Sequence, residues 1–309
     1  MKKIPLIVVA GATASGKTSL AIALAKRFNA EVISADSMQI YRRMNIGTAK
    51  PDSEEMDGVV HHLIDIIEPS ESFSVADFCE RAHEIAEDII SRGKNVIVAG
   101  GTGLYIDSLV NDVDFDGEDT DYELRKQLEE RAKTEGAESL IRELSEFDRA
   151  SAERLHPNNL KRIIRAIEFY HIHKKPISVH QEETKQKPSR YRALYMMIDH
   201  PREVLRSRID KRVDIMMESG LMDEARTLYE ERDKLSKTAA QAIGYKELFG
   251  YFDKTMSLDE AKEELKLRTR QYAKRQLTWF RKNKEMNYLS SENAFSEAEK
   301  LVEEFLNKE

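Results

Sequence analysis

Eight consecutive residues near the amino end, Gly11-Ala12-Thr13-Ala14-Ser15-Gly16-Lys17-Thr18, have the types and spacing to cradle an anion. They satisfy G-x-x-x-x-G-K-[ST] at every fixed position. Glycines at 11 and 16 permit tight bends that turn successive backbone N–H groups into one concavity. Lys17 adds a point charge, and the Thr18 hydroxyl is a ligand for a Mg2+ ion that bridges phosphate oxygens. The run Gly11–Thr18 is therefore assigned to a diphosphate or triphosphate. The pattern leaves open what happens to it, because a kinase, an NTPase and an enzyme with a diphosphate leaving group all need this cradle. A second candidate is Asp36, in Ser34-Ala35-Asp36-Ser37-Met38-Gln39, a carboxylate that could bind Mg2+ or accept a proton. The plainer alternative is that it caps a turn. A third is Thr102, in Gly100-Gly101-Thr102-Gly103. Those glycines stand where an NTPase strand would end in a metal-binding aspartate, which weakens a hydrolytic reading.

These groups act together only if a fold gathers them. Ile4–Ala10 is apolar, β-branched and followed by glycine, the pattern of a fully buried strand. Lys17–Phe28 then repeats at helical period, with Leu20, Ala21, Leu24 and Phe28 on one side. Glu31–Ser34 is a second short strand. Ser74-Val75-Ala76-Asp77 is a capping box that opens a helix to about Arg92, where Gly93 stops it. Asn95–Ala99 is a third strand. Strands alternating with helices predict a parallel sheet covered on both faces. The carboxyl ends of its strands would bring Lys17, Asp36 and Thr102 to one pocket.

Near Asp112–Asp121 the sequence becomes a loop dense in aspartate and glycine. Tyr122 to about His173 reads as helices alone, and Lys174–Arg192 is polar, with Pro176 and Pro188. A strand returns at Ala193–Ile198, and helical sequence dominates to the end. The expected fold class is α/β: a P-loop NTPase-like parallel core over 1–116 and 193–309, interrupted by an all-helical domain over 117–192. There is no internal repeat and no low-complexity tract.

Met1-Lys2-Lys3, the apolar run Ile4–Ala10 and Ala12-Thr13-Ala14 together imitate a secretory signal, but the run is short, contains Pro5 and leads straight into the phosphate loop. No apolar run approaches the ~20 residues that span a bilayer, so no membrane partner is expected. Cys79, the single cysteine, excludes an intramolecular disulfide and a multi-cysteine zinc site, and a reducing cytoplasm is the expected location. The formal net charge of −7 excludes a uniformly basic nucleic-acid coat, yet the bases are clustered. Arg268, Arg270, Lys274, Arg275, Arg281 and Lys282 share one helical stretch with Tyr272, Trp279 and Phe280. Lys161, Arg162 and Arg165 form another cluster, and Lys185, Lys187, Arg190 and Arg192 a third. Such groups suit phosphate contacts and stacking with unpaired bases; the plainer alternative is a solvated face over core aromatics. The adjacent His61 and His62 cannot share one face of a regular element, which argues against a metal pair. Met216 and Met217 read as helix packing.

Taken in order along the chain, Gly11–Thr18, Ser34-Ala35-Asp36-Ser37, Tyr41, Gly47-Thr48-Ala49-Lys50-Pro51, His61-His62, Asp65, Gly100-Gly101-Thr102, His156-Pro157-Asn158, Arg165-Ala166, Gly244-Tyr245 and Arg270–Arg281 resemble the bacterial tRNA dimethylallyltransferases. The likeness runs almost end to end. Ala12 stands where proline is common in that family, at a position that contributes only backbone. Eukaryotic relatives often carry a carboxy-terminal zinc finger, which one cysteine cannot build.

The resemblance implies a reaction: N6 of the adenosine at position 37, immediately 3′ of the anticodon, attacks C1 of dimethylallyl diphosphate, and diphosphate leaves. It implies that the loop holds a leaving group with Mg2+ on Thr18, that Asp36 orients the amine and takes its proton, and that Thr102 touches the target nucleotide. Arg212 matches a family arginine that reaches the diphosphate; the alternative is an exposed helix charge. The resemblance further implies tRNA contacts at Asp36, Ser37, Met38 and Gln39, at Lys161, Arg162, Ile163, Ile164 and Arg165, and at Gln241, Ala242, Ile243, Gly244, Tyr245 and Lys246. Arg270, Lys274, Arg275 and Arg281 are added from the basic tail, with the insertion gripping the anticodon stem-loop of a tRNA bound by a monomer. A base stacked in that loop must be swung out at a cost of about a few kcal/mol, so a channel through the core is expected, entered by nucleotide and by allyl diphosphate from opposite sides.

Two rival readings remain at this level. A P-loop kinase of a small hydroxylated substrate leaves the basic helices and the insertion unexplained. A non-catalytic RNA-binding protein leaves Lys17, Thr18 and Asp36 unexplained.

Overall fold

The computed structural model describes residues 3–113, 115 and 121–308, and of Lys185 the backbone alone. The chain divides into two compact units, Met1–Asp112 with Arg190–Glu309, and Val113–Ser189. The expected insertion boundary at 117 and most of the Asp- and Gly-rich loop lie outside the described residues.

The first unit is built on β1 (Ile4–Ala10), α1 (Lys17–Arg27), β2 (Ala30–Ser34), α2 (Ser53–Met56), β3 (His61–His62), α3 (Val75–Ser91), β4 (Asn95–Gly100) and α4 (Gly103–Val110). Its strands form a six-stranded sheet in the order β3-β2-β4-β1, continued by two strands from after the second unit. Every pairing is parallel. The capping box at Ser74 and Asp77 is present, with both reciprocal bonds closed.

The second unit contains α5 (Tyr122–Glu135), α6 (Ala137–Phe147), α7 (Arg149–Arg154), α8 (Leu160–His173) and α9 (Ile177–Gln186), and no strand among the described residues. Leu128, Leu140, Leu144, Ile163, Ile164 and Ile167 make its core. Its buried Glu168 is held by Arg125 through two bonds of 2.8 and 2.9 Å and by Arg165 at 3.1 Å. The polar stretch after His173 thus holds a helix, α9, that its composition did not announce.

The chain returns as β5 (Tyr191–Asp199), α10 (Arg202–Glu218), α11 (Leu221–Glu230), α12 (Lys246–Phe252), α13 (Leu258–Phe280), β6 (Met286–Ser290) and α14 (Ala294–Asn307). β5 starts two residues before the expected strand, and β3 and β6 were not expected at all. Ile7, Val9, Ile97, Met196 and Leu289 pack on Leu20, Leu24, Ala298 and Val302, so α1 and α14 cover one face of the sheet. The alternate side chains Leu6, Val8, Val96 and Val98 are fully buried on the other. There α3 and α4 pack against each other and against the sheet, as expected for helices on both faces.

Candidate functional site

The loop between β1 and α1 takes the strained shape its glycines allow. Gly16, at φ 92°, occupies the left-handed region, and Ala14 does so at 60° despite its Cβ. Arg208 of α10 donates from Nε to the Ala14 carbonyl at 2.8 Å, which braces that unfavourable turn. Lys17 opens α1, where the helix N-terminus adds positive potential. Burial pulls the Lys17 ammonium down to about 8, with Arg212 adding to the lowering and the Asp36 charge opposing it. The Ser15 hydroxyl is buried without a hydrogen-bond partner among the described residues.

Two cavities meet at this loop. An inner one of about 240 Å3 is lined by Thr13, Lys17, Asp36, Ser37, Met38, Gly47–Ala49, Arg212, Gln241–Ile243, Lys246, Tyr272, Arg275 and Gln276. An outer one of about 530 Å3 is lined by Gly16, Lys17, Thr18, Glu54, Glu55, Arg208 and Arg212. Ala14, Lys17, Ala49 and Arg212 are common to both walls.

Asp36 follows β2, and its two expected behaviours coexist. One carboxylate oxygen accepts from the Met38 N–H at 3.0 Å, a turn cap, while the group also faces the inner cavity. Arg212 is half-buried, not an exposed helix charge. Its Nη2 donates to the Ala49 carbonyl at 3.3 Å, and burial lowers its pKa.

Other expected site residues stand elsewhere. Thr102 does not line the cavity. Its Oγ1 accepts from the Ser37 N–H at 3.0 Å and donates to Ser37 Oγ at 3.3 Å, which ties it behind the Asp36 segment. Gln39 is also spent internally: Ser34 donates to its Oε1, and its Nε2 reaches the Thr48 and Ala49 carbonyls at 3.4 and 3.2 Å. Tyr245 is buried against Gly47, where an added Cβ would lie 2.5 Å from the ring. Gly244 donates its N–H to Glu247. Gln241, Ala242, Ile243 and Lys246 do line the cavity. In the second unit Ile163 and Ile164 are core, Arg165 is paired with Glu168, and Lys161 and Arg162 are exposed.

The basic tail is divided by its helix. Arg275 faces the inner cavity, whereas Arg270, Lys274 and Arg281 line a groove of about 510 Å3 with Arg202 and Arg206 of α10. Arg270 is bonded there to Asp210 at 2.9 and 3.0 Å. Of the three aromatics, Phe280 is core, Trp279 donates to Asp107 at 2.7 Å, and Tyr272 lines the cavity. Arg190 and Arg192 are tied to Asp112 and to the Phe305 carbonyl. Met216, read as packing, is instead part of the cavity wall. His62 bonds Glu31 at 2.7 Å, and His61 bonds the Val59 carbonyl at 3.0 Å.

Three residues had escaped notice. Arg208 is one. Glu224 of α11 is another: it accepts from the N–H groups of Asn45, Ile46 and Gly47 at 2.9, 3.0 and 3.0 Å and from the Tyr245 hydroxyl at 2.7 Å. The third is Gln276. A polar residue inside a charged helix carries no pattern that would single it out.

A sequence profile described as IPP transferase matches residues 39–283. Among curated proteins, the tRNA dimethylallyltransferase of Acetivibrio thermocellus is 52% identical, covering 96% of this chain and 95% of that one. The enzyme of the same name from Bacillus subtilis is 46% identical, covering 93% and 90%. Among solved structures, a tRNA isopentenylpyrophosphate transferase from Bacillus halodurans matches with a TM-score of 0.74 at 41% identity, over 100% of this chain and 98% of that one. A eukaryotic dimethylallyltransferase described as acting on tRNA matches with a TM-score of 0.82 at 32% identity, over 93% of this chain and 74% of that one. The phosphate loop, the carboxylate facing it and the length of these matches lead to one assignment: the chain belongs to the IPP transferase family.

Proposed function

We propose that this protein transfers a dimethylallyl group from dimethylallyl diphosphate to N6 of adenosine 37 in tRNA and releases diphosphate. The observation that carries the reading is the inner cavity, whose one wall holds the anion cradle with Lys17 and whose other holds the Asp36 carboxylate. The names of the relatives supply the donor and acceptor class.

The N6 lone pair attacks C1 of the allyl group as the C1–O bond to diphosphate breaks. The electron pair of that bond leaves on diphosphate, and the N6 proton passes to Asp36. Lys17, Arg212 and the N–H groups of Gly11–Thr18 stabilise the growing charge on the leaving group. The donor enters by the outer cavity and the everted base by the inner one. Ser37, Met38, Gln241–Ile243, Lys246 and Arg275 surround the nucleotide, with Thr102 supporting that wall from behind. Lys274, Arg281, Lys161 and Arg162 contact RNA phosphates, and the helical unit grips the anticodon stem-loop.

The residues fit Mg2+ as a companion of the substrate. Thr18 lines the outer cavity, and in the same loop the Ser15 hydroxyl is buried with no hydrogen-bond partner among the described residues. Diphosphate oxygens would complete the shell. With Thr18 as its protein ligand, the ion would supply charge neutralisation on the leaving group.

A tRNA acceptor and the single buried cysteine favour the cytoplasm. Among the described residues no helix is long and apolar enough to cross a membrane.

The test is transfer of radiolabelled dimethylallyl diphosphate to unmodified tRNA bearing adenosine 37, with and without Mg2+. Label is expected on that adenosine, and Asp36→Ala is expected to slow transfer by about 10²–10⁴-fold while tRNA binding holds. Label on free ATP or AMP, or γ-phosphate transfer from ATP without prenyl transfer, would overturn the reading.

A further inference from the structure

Gln276 lies near the carboxy-terminal end of α13, four residues before its last residue, and is buried. Its Oε1 accepts from the Thr13 N–H of the phosphate loop at 2.9 Å, and its Nε2 donates to the Gly101 carbonyl at 3.0 Å. Both ends of one side chain are thus used, on two loops that belong to different strands of the sheet. The fit is close: a Cβ added at Gly101 would stand 2.1 Å from Gln276 Nε2. One turn earlier on the same helix, Tyr272 lines the inner cavity together with Gln276. Thr102 in turn holds the Ser37 N–H, next to Asp36. A continuous chain of polar contacts therefore runs from the diphosphate cradle, through Gln276 and the Gly101–Thr102 turn, to the carboxylate on the acceptor side.

We propose that Gln276 is a positioning residue that fixes the phosphate loop in register with the Asp36 segment, so that the leaving group and the attacking amine are held to one geometry. The inference rests on the proposed prenyl transfer, and it assigns Gln276 no contact with a reacting atom. Its bond to Thr13 selects which amide of the loop turns away from the anion. Its bond to Gly101 sets the distance between the two strand ends. Loosening either displaces the cradle relative to the base without removing a charge from the site.

The experiment compares the full-length wild type with Gln276→Ala, Gly101→Ala and the double variant. It measures inorganic diphosphate binding with Mg2+ by calorimetry, together with kcat and both KM values for transfer. Gln276→Ala is expected to weaken diphosphate binding and to lower kcat/KM for dimethylallyl diphosphate by about ten- to hundredfold, with KM for tRNA moving less than about twofold. Gly101→Ala is expected to do the same by pushing Gln276 aside, so in the double variant it adds nothing to Gln276→Ala. Gln276→Met, which keeps the volume and loses both bonds, replaces the alanine variant should that fail to fold. Unchanged diphosphate binding in a folded Gln276 variant, or additive losses in the double variant, would overturn the proposal. A wild type that transfers no prenyl group would sink the proposed activity while leaving the diphosphate measurements to judge Gln276.

Discussion

Lys17 shows how one position serves both fold and chemistry. A lysine at the start of α1 is driven out of water by the tight loop, and its proton affinity falls to about 8. It must be cationic to hold diphosphate. The sign follows: below about 8 the charge is present, and it is lost as pH rises through that value. The kcat/KM for dimethylallyl diphosphate is therefore expected to fall above about pH 8, whereas kcat at saturating donor holds to higher pH, because a bound anion favours the charged lysine. A pH–rate profile checks this, and a flat kcat/KM through that range would separate Lys17 from donor binding. At this scale the sequence was legible where spacing dictates orientation: Gly11–Thr18 bends only one way, and Asp36 follows a strand end. It was illegible where a neighbour decides. Thr102 has the right position, but its hydroxyl is captured by Ser37. Tyr245, Ile163 and Ile164 sit in matching motifs, yet they are packed inside.

Among the elements, α11 governs the loop that carries Gly47–Ala49. Three amides and a tyrosine hydroxyl converge on the Glu224 carboxylate. Lys50 anchors the same loop through the Tyr41 carbonyl, Asn45 and Asp65. This accounts for the Gly-Thr-Ala-Lys-Pro run and for Asp65 as scaffolding beneath Arg212. Glu224→Ala leaves those donors without an acceptor and is expected to cost roughly 2–4 kcal/mol of stability, read as a lower urea midpoint. An unchanged midpoint would show that water satisfies the loop. The central strands were readable because they are continuous apolar runs. The edge strands were not, since β3 has two residues and Met286–Ser290 has neither a continuous apolar run nor strict alternation of polar and apolar residues. Helix α9 is amphipathic too weakly to have stood out among its lysines and glutamates.

For the whole molecule, the charge of −7 conceals a groove between α10 and α13 rimmed by Arg202, Arg206, Lys274 and Arg281 over an apolar floor of Leu205, Ile209 and Leu277. Composition cannot show such a division, because it depends on which side of one helix each cation occupies. Affinity for tRNA is expected to fall steeply with salt, and Lys274→Ala or Arg206→Ala to reduce the log–log slope by about 1 each. An unaltered slope would mean that RNA phosphates do not reach this groove. The two cavities that share Lys17 and Arg212 have a further consequence. On the proposed chemistry, with the donor entering by one cavity and the base by the other, the small spent product escapes while the macromolecule is still seated, and the next small molecule enters behind it. Turnover then need not wait on the slower visitor at the front door, and excess donor does not crowd out the acceptor.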